Sequence, residues 1–571
     1  MIGLSAACLL AIVLSGKATN VTVIAVSGDT APAAGLDKVY TQFLNSVINE
    51  AGDVVYGATV TNASGQQFRS LWMVSSGVQS LIGLQGENAP GTSAQYSSFS
   101  DNRPALTEDG TVLFDARLTG AGITFENDRG MWTGKPGSVL KLIREGDPAP
   151  TLPNVTVNSL SFFIGQAHRM SPSGRTAFRM LLDGFGVADE NNSALFVGRV
   201  GSLQLLAREG DQAPGLANGI VYDTLQGATP YLNDTGTFAF QSEVRGFDFG
   251  VTDDNDGVIW SGSSAGLQGT LRESEIDPTT GVAYVDLRGP FINRDGTLAF
   301  VSGLASGPDD DTGIWLENPR RLIAREGDVA PGTGGERFGN FTAADPFLNN
   351  LGQVVFNADI EGPTVLASAD SAIYAGDANQ LTLIAREGDQ APEFADGVRF
   401  RELRFRSQLF NSAGQVIFLA EVIGTGINNN NNGALWSSEV GGATRLLLRE
   451  GDSIEVAPED IRTIREIRLA GGGGDGDGTN TSFNNAGVLV FTVIFSDFSW
   501  ALVSTKVERT GLLSLALTGD DLVLSWQDSG FTLETTPTLI TPWTNAFDQS
   551  TPQILPPSAA ELRRYFRLRR P

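Results

Sequence analysis

The sequence predicts an all-β protein, an eight-bladed β-propeller with a small C-terminal β-sandwich-like domain behind it. Three observations carry this prediction. A glycine-closed turn leading into an alternating strand recurs eight times along the chain, as Asn-x-x-Gly in six of the copies. A second motif, Leu-Ile-Ala-Arg-Glu-Gly-Asp-x-Ala-Pro, recurs with it, at Leu322–Pro331 and Leu383–Pro392 and in looser copies elsewhere. The repeats also run out of phase at their ends: a fourth strand precedes the first unit, and the last unit stops at its third.

In chain order, the first element is the apolar run from Ile2 to Leu14, broken only by Ser5. It is shorter than the ~20 residues that span a bilayer. Gly16 and Ala18 suit a signal-peptidase cut, so residues 1–18 read as a signal peptide, although Lys17 follows the apolar run instead of preceding it. Cys8 is the only cysteine, and cleavage would leave a chain with none. No later segment is apolar and long enough for a membrane helix. The expected location is secreted, cell-surface or periplasmic.

The repeat region, residues 19–508, contains Asn233-Asp-Thr-Gly-Thr-Phe-Ala-Phe240 and Asn293-Arg-Asp-Gly-Thr-Leu-Ala-Phe300. It also contains Asn350-Leu-Gly-Gln-Val-Val-Phe356, preceded by Asn349. Further copies centre on Gly52, Gly110, Gly174, Gly414 and Gly487, at a mean spacing of about 62 residues. The Asn side chain can accept a local backbone bond while Gly takes the left-handed conformation, closing a tight hairpin turn. The Val/Ala-x-Phe pattern that follows alternates between faces. A third strand ends in an aromatic, as in Met131-Trp132, Ile314-Trp315 and Leu435-Trp436. The Arg-Glu-Gly-Asp strand ends the unit: Gly breaks the ladder, Asp bonds the turn and Pro bars continuation. Its Arg is expected to pair with a neighbouring carboxylate. Four strands without a helical period suit a propeller blade. The stray strand Asn20–Asp29 can complete the last blade, whose third strand is Phe498–Val503, and so remove the open edge.

The repeated Asn-x-x-Gly-x-x-Ala-Phe strand resembles the choice-of-anchor tandem repeat proteins, a group of secreted bacterial proteins, over roughly residues 20–505. The resemblance implies a secreted repeat protein and no particular activity. The usual Pro-Glu-Pro sorting signal is absent. Residues 509–571 are similar instead to a small C-terminal β-domain found on secreted bacterial proteins, and their basic end, Arg563–Pro571, reads as a final strand.

Composition narrows the function. The chain has 571 residues and a formal net charge of −26. That charge argues against nucleic acid or an anionic membrane as the main partner. One histidine and one cysteine exclude His/Cys zinc sites and disulfides within the chain, and any Ser–His–Asp triad would have to use His168. No residue is assigned a catalytic or cofactor-binding role. Polar loops before the third strand cluster hard oxygen ligands beside glycine, which suits calcium. They include Asp253, Asp254 and Asp256, then Asp309, Asp310 and Asp311, and also Asp189–Asn192, Glu126–Asp128 and Asn428–Asn432. None matches a full EF-hand loop, and solvated turns are the alternative. The Gly471–Gly478 insertion reads as a flexible linker within the eighth blade, with Asp475 and Asp477 as further calcium candidates. The leading expectation is a monomeric, non-catalytic extracellular propeller that binds a glycan or a surface protein. The alternatives are a polysaccharide-cleaving enzyme with carboxylates at the channel mouth, or a calcium-stabilised structural envelope protein.

Overall fold

A computed structural model describes residues 21–507 except 36, 101–102, 161–167, 226–229, 265, 307–310, 343, 405–406, 470–472, 474–475, 477 and 480. Beyond 507 it describes 508–509, 513–518, 521–526, 532–536, 544–545, 549, 553–555 and 565–569. The expected signal peptide, with Cys8, lies outside the described residues. The chain divides into two compact units, Met1–Val507 and Glu508–Pro571. The second holds two three-stranded antiparallel sheets. In one of them Thr532–Thr536 pairs with the basic end strand Tyr565–Arg569.

The first unit is a propeller of eight blades, each an antiparallel sheet arranged around a ring. Blade 1 shows the plan: Val39–Ile48 innermost, then Val54–Thr61, Gln67–Ser75 and Val78–Leu84 outermost. In blade 8, Val21–Val26 pairs with Trp500–Lys506, so the N-terminal strand supplies the missing outer strand and closes the ring. Aromatics from the inner three strands meet within a blade. Tyr284 meets Trp315 edge-on at 5.3 Å between centroids, and Phe300 stacks on the same indole at 5.8 Å. The set recurs as Tyr222, Phe240 and Trp260, and as Phe400, Phe418 and Trp436. Offset and edge contacts of this kind add about 0.5–1.5 kcal/mol each to simple burial.

Each motif does more than its local pattern indicates. In Asn233-x-x-Gly236 the Asn Oδ1 accepts from Thr237 N at 2.9 Å, and Gly236 sits at φ 87°, as the turn requires. The Nδ2 of the same side chain donates to the backbone oxygen of Asn293, the equivalent residue of the next blade, at 3.0 Å. The relay continues from Asn293 to Asn349, Asn411, Asn484 and Asn49, and then to Thr107. Where Thr107 and Ser171 replace Asn, Glu108 N donates to Pro172 O and Ser173 N to Asp234 Oδ1. Every blade junction is therefore bridged at this turn. One side chain can reach the equivalent turn of the next blade only where the blades converge, so these turns form a collar around one mouth of the axial channel.

The Arg-Glu-Gly-Asp motif holds the opposite face. Buried Glu209 accepts from Ser193 N at the start of its own third strand (3.1 Å) and from Leu225 N in the next blade (2.9 Å). Glu145 does the same with Arg129 and Leu160, and Glu273 with Gly257 and Leu287. The motif's Asp bonds the turn as expected, Asp147 accepting from Arg144 N and Asp452 from Arg449 N. Its Arg has a second partner besides the expected carboxylate. Arg208, Arg272 and Arg386 each donate through Nε to a loop carbonyl, at Asn191, Asn255 and Ala369. Arg386 pairs with the Glu336 carboxylate as well, and Arg449 with Asp452 at 3.9 Å. The loop-carbonyl bond recurs in these three blades at 2.8, 2.6 and 3.2 Å, whereas the carboxylate partner differs from blade to blade.

Candidate functional site

Because the blades repeat one up-and-down order, all loops joining second to third strands lie on one face, opposite the Asn collar. In four blades this loop is built the same way. Asn127 donates to Gly122 O and accepts from Thr124 N; Asn191, Asn255 and Asn431 repeat both bonds. The clip draws polar atoms inward onto the backbone and leaves the loop tip outside. This loop carries an exposed phenylalanine on three consecutive blades, inside the clip at Phe125 (84% exposed) and ahead of it at Phe185 (89%) and Phe247 (88%). Phe498, in the corresponding hairpin of blade 8, and Leu366 on blade 6 are also exposed. Folding buries such side chains wherever it can, and burying a Phe contributes about 1.5–3 kcal/mol. These three phenylalanines, on three adjacent blades, are the most exposed large apolar side chains among the described residues.

Blade 2 also holds a small cleft of about 140 Å³ lined by Ser98, Ser100, Asp115, Arg117 and Arg129. Arg117 pairs with Asp128 at 2.7 Å. Blades 4, 6 and 7 carry Glu243, Asp359 and Glu421 at the position of Arg117, so blade 2 reverses the sign of this edge. Sequence reading missed both features, because a phenylalanine in a loop looks like any core residue until its strand neighbours are known.

The calcium candidates sit in the same loops. Among the described residues, no three His, Cys, Asp or Glu side chains gather closely enough to hold a metal ion, Asp253, Asp254, Asp256 and Asp311 included. Asp309, Asp310, Asp475 and Asp477 lie outside the described residues. The Asn255 clip shapes its loop without help from the carboxylates and leaves Asp253 and Asp254 exposed. Burial, with Glu243 and Glu273 alongside, pushes the Asp256 carboxyl up to about 6. Asp311 hydrogen-bonds Glu326, whose carboxyl burial holds well above the ordinary range.

His168 lies on the inner strand of blade 3, buried, with Nδ1 3.8 Å from Asp115 Oδ1. That separation exceeds a hydrogen bond, and neither ring nitrogen has a hydrogen-bond partner. Burial and the neighbouring Arg169 charge push the imidazole down to about 4, which leaves it neutral at pH 7. The channel-mouth carboxylates Glu50 and Glu108 act as acceptors in the collar, from Asn485 N and Glu50 N respectively.

A family model described as "Family of unknown function (DUF7453)" matches residues 5–148 and 101–505. The chain belongs to this family. No curated protein matches it. Among solved structures it is similar to an acylaminoacyl peptidase in complex with Z-Gly-Gly-Phe-chloromethyl ketone, with 11% identity and TM-score 0.33 over 72% of this chain and 53% of that one. It is similar also to Penicillium chrysogenum α-L-arabinanase complexed with arabinobiose, with 12% identity and TM-score 0.24 over 64% and 99%. A third is an ulvan lyase described as a new family of polysaccharide lyase, with 11% identity and TM-score 0.26 over 77% and 95%. This chain spans about half the length of the peptidase. These likenesses concern the fold alone. Among the described residues no helix of this family member is long and apolar enough to cross a membrane.

Proposed function

We propose that this protein is a secreted, non-catalytic binding propeller that holds an uncharged polysaccharide on the loop face of blades 2 to 4. One observation carries the reading: Phe125, Phe185 and Phe247 stand almost fully exposed in the second-to-third-strand loops of adjacent blades. A flat apolar ring suits the C–H face of a sugar, and the neighbouring Asn and Asp groups suit its hydroxyls. A net charge of −26 disfavours polyanionic chains. Export and kinship with the choice-of-anchor tandem repeat proteins belong to the same proposal, supported by the Asn-x-x-Gly-x-x-Ala-Phe repeat and the apolar start of the chain.

The test incubates the purified protein with a panel of insoluble polysaccharides and scores retention and release of new sugar ends together. Retention without release, lost in the Phe125→Ala/Phe185→Ala/Phe247→Ala variant, is the expected result. Release of sugar ends would overturn the non-catalytic reading. Absence of retention on every polysaccharide would overturn the glycan reading and leave a surface protein as the ligand to seek.

A further inference from the structure

Five of the collar's Asn-to-turn bonds join residues 56, 58, 60, 62 and 73 positions apart, and the longest leads into blade 8. The excess is the glycine-rich insertion between the inner strand Asp460–Arg468 and Asn484. Expected from its composition to be a flexible linker, it makes specific contacts where it is described. Gly478 is buried, and its carbonyl accepts from Met170 N at 3.2 Å. A Cβ on Gly478 would stand 3.0 Å from Leu232 O and 3.4 Å from the Arg169 Cβ. A Cβ on Gly476 would stand 3.1 Å from Arg294 N and 2.5 Å from Asn350 Oδ1.

These neighbours belong to blades 3, 4, 5 and 6, and in a ring of eight, blade 4 lies diametrically opposite blade 8. A segment that leaves blade 8 and touches blades 3 to 6 has crossed the axis. Arg294 and Asn350 belong to the collar, where Arg294 N donates to Asn350 Oδ1, so the crossing runs at the collar mouth. Arg169 and Leu232 lie on the inner strands just before the turn, and the inner wall continues as Arg169 over Tyr231 (4.8 Å) and Tyr231 against Phe291 (5.1 Å). A side chain at either position is crowded, by Leu232 O at 3.0 Å and Arg294 N at 3.1 Å, and Gly476 and Gly478 sit at φ 92° and 76°, so both positions favour glycine.

We propose that Gly476 and Gly478 of the blade 8 insertion form an axial strap, docked at the collar mouth against the inner strands of blades 3 and 4 and the collar turns of blades 5 and 6. The strap ties the ring across its diameter as the Asn relay ties it around its circumference.

Two measurements on the full chain test it. The 3.4 Å between the Arg169 Cβ and a Cβ at position 478 falls close to the ~3.5–4.5 Å of a disulfide. Arg169→Cys with Gly478→Cys, in a Cys8→Ser background, should therefore crosslink under mild oxidation, as joined peptides by mass spectrometry. A folded protein that leaves both thiols free would overturn the strap. Second, Gly478→Val should speed hydrogen exchange at the Met170 amide at least tenfold. The control Gly334→Val, at φ 85° with open space around it, should leave that amide unchanged. Unchanged exchange in Gly478→Val would equally overturn the proposal.

Discussion

Glu209 offers the sharpest test of how the blades are held together. Its two carboxylate oxygens accept from Ser193 N in its own blade and Leu225 N in the next, and it is buried. Glu209→Ala leaves two buried N–H groups without an acceptor, each costing about 1–3 kcal/mol, so the loss should be about 2–6 kcal/mol. Glu209→Gln keeps one carbonyl acceptor and should lose roughly half of that. Blade 1 already shows the amide in this position, since Gln85 Oε1 accepts from Arg69 N at 3.0 Å. The assay is urea unfolding, with the shift in midpoint read at an unchanged slope. An alanine variant within about 0.5 kcal/mol of the parent would refute the staple, because that is the range of a surface substitution.

The Asn relay and the loop carboxylates give two further expectations. Asn484→Ala removes the bond to Asn49 O and the acceptor for Val488 N, and should cost ~1–3 kcal/mol, with faster hydrogen exchange at the Val488 amide than at strand amides of blade 4. Asp256 is raised from 3.8 to about 6 in the fold, so its contribution to stability is full below pH 3.8 and is lost as pH rises through about 6. Asp256→Asn should therefore gain in melting temperature over the parent between pH 4 and pH 7, and a constant difference across that range would refute the assignment.

Much of the fold was legible because a propeller repeats its instructions. The Asn-x-x-Gly turn, the Trp strand and the Gly-Asp-x-Ala-Pro ending each state a local rule eight times or nearly so, and the mismatched ends announce the closing strand. What repetition could not disclose was the second use of each residue. Asn49 reads as a turn former from its neighbours in sequence, yet its Nδ2 reaches Thr107 O, a partner 58 residues away. The motif's local pattern assigns no role to the glutamate of Arg-Glu-Gly-Asp, yet Glu209 serves two backbone amides on different blades. The candidate site was less legible still. Asp253 and Asp254 drew attention as charges, whereas Phe125 and Phe247, two residues among 32 phenylalanines, are unusual only for where the chain leaves them.

The central claim, that the phenylalanines of blades 2 to 4 form one binding face, is tested most directly by calorimetric titration with oligosaccharides of increasing length. The sugar is cut from whichever polysaccharide retains the protein. Affinity should rise with chain length as successive loops are engaged, each of Phe125→Ala, Phe185→Ala and Phe247→Ala should weaken the long ligand, and the triple variant should abolish binding. Equal affinity in the parent and the triple variant would contradict the account.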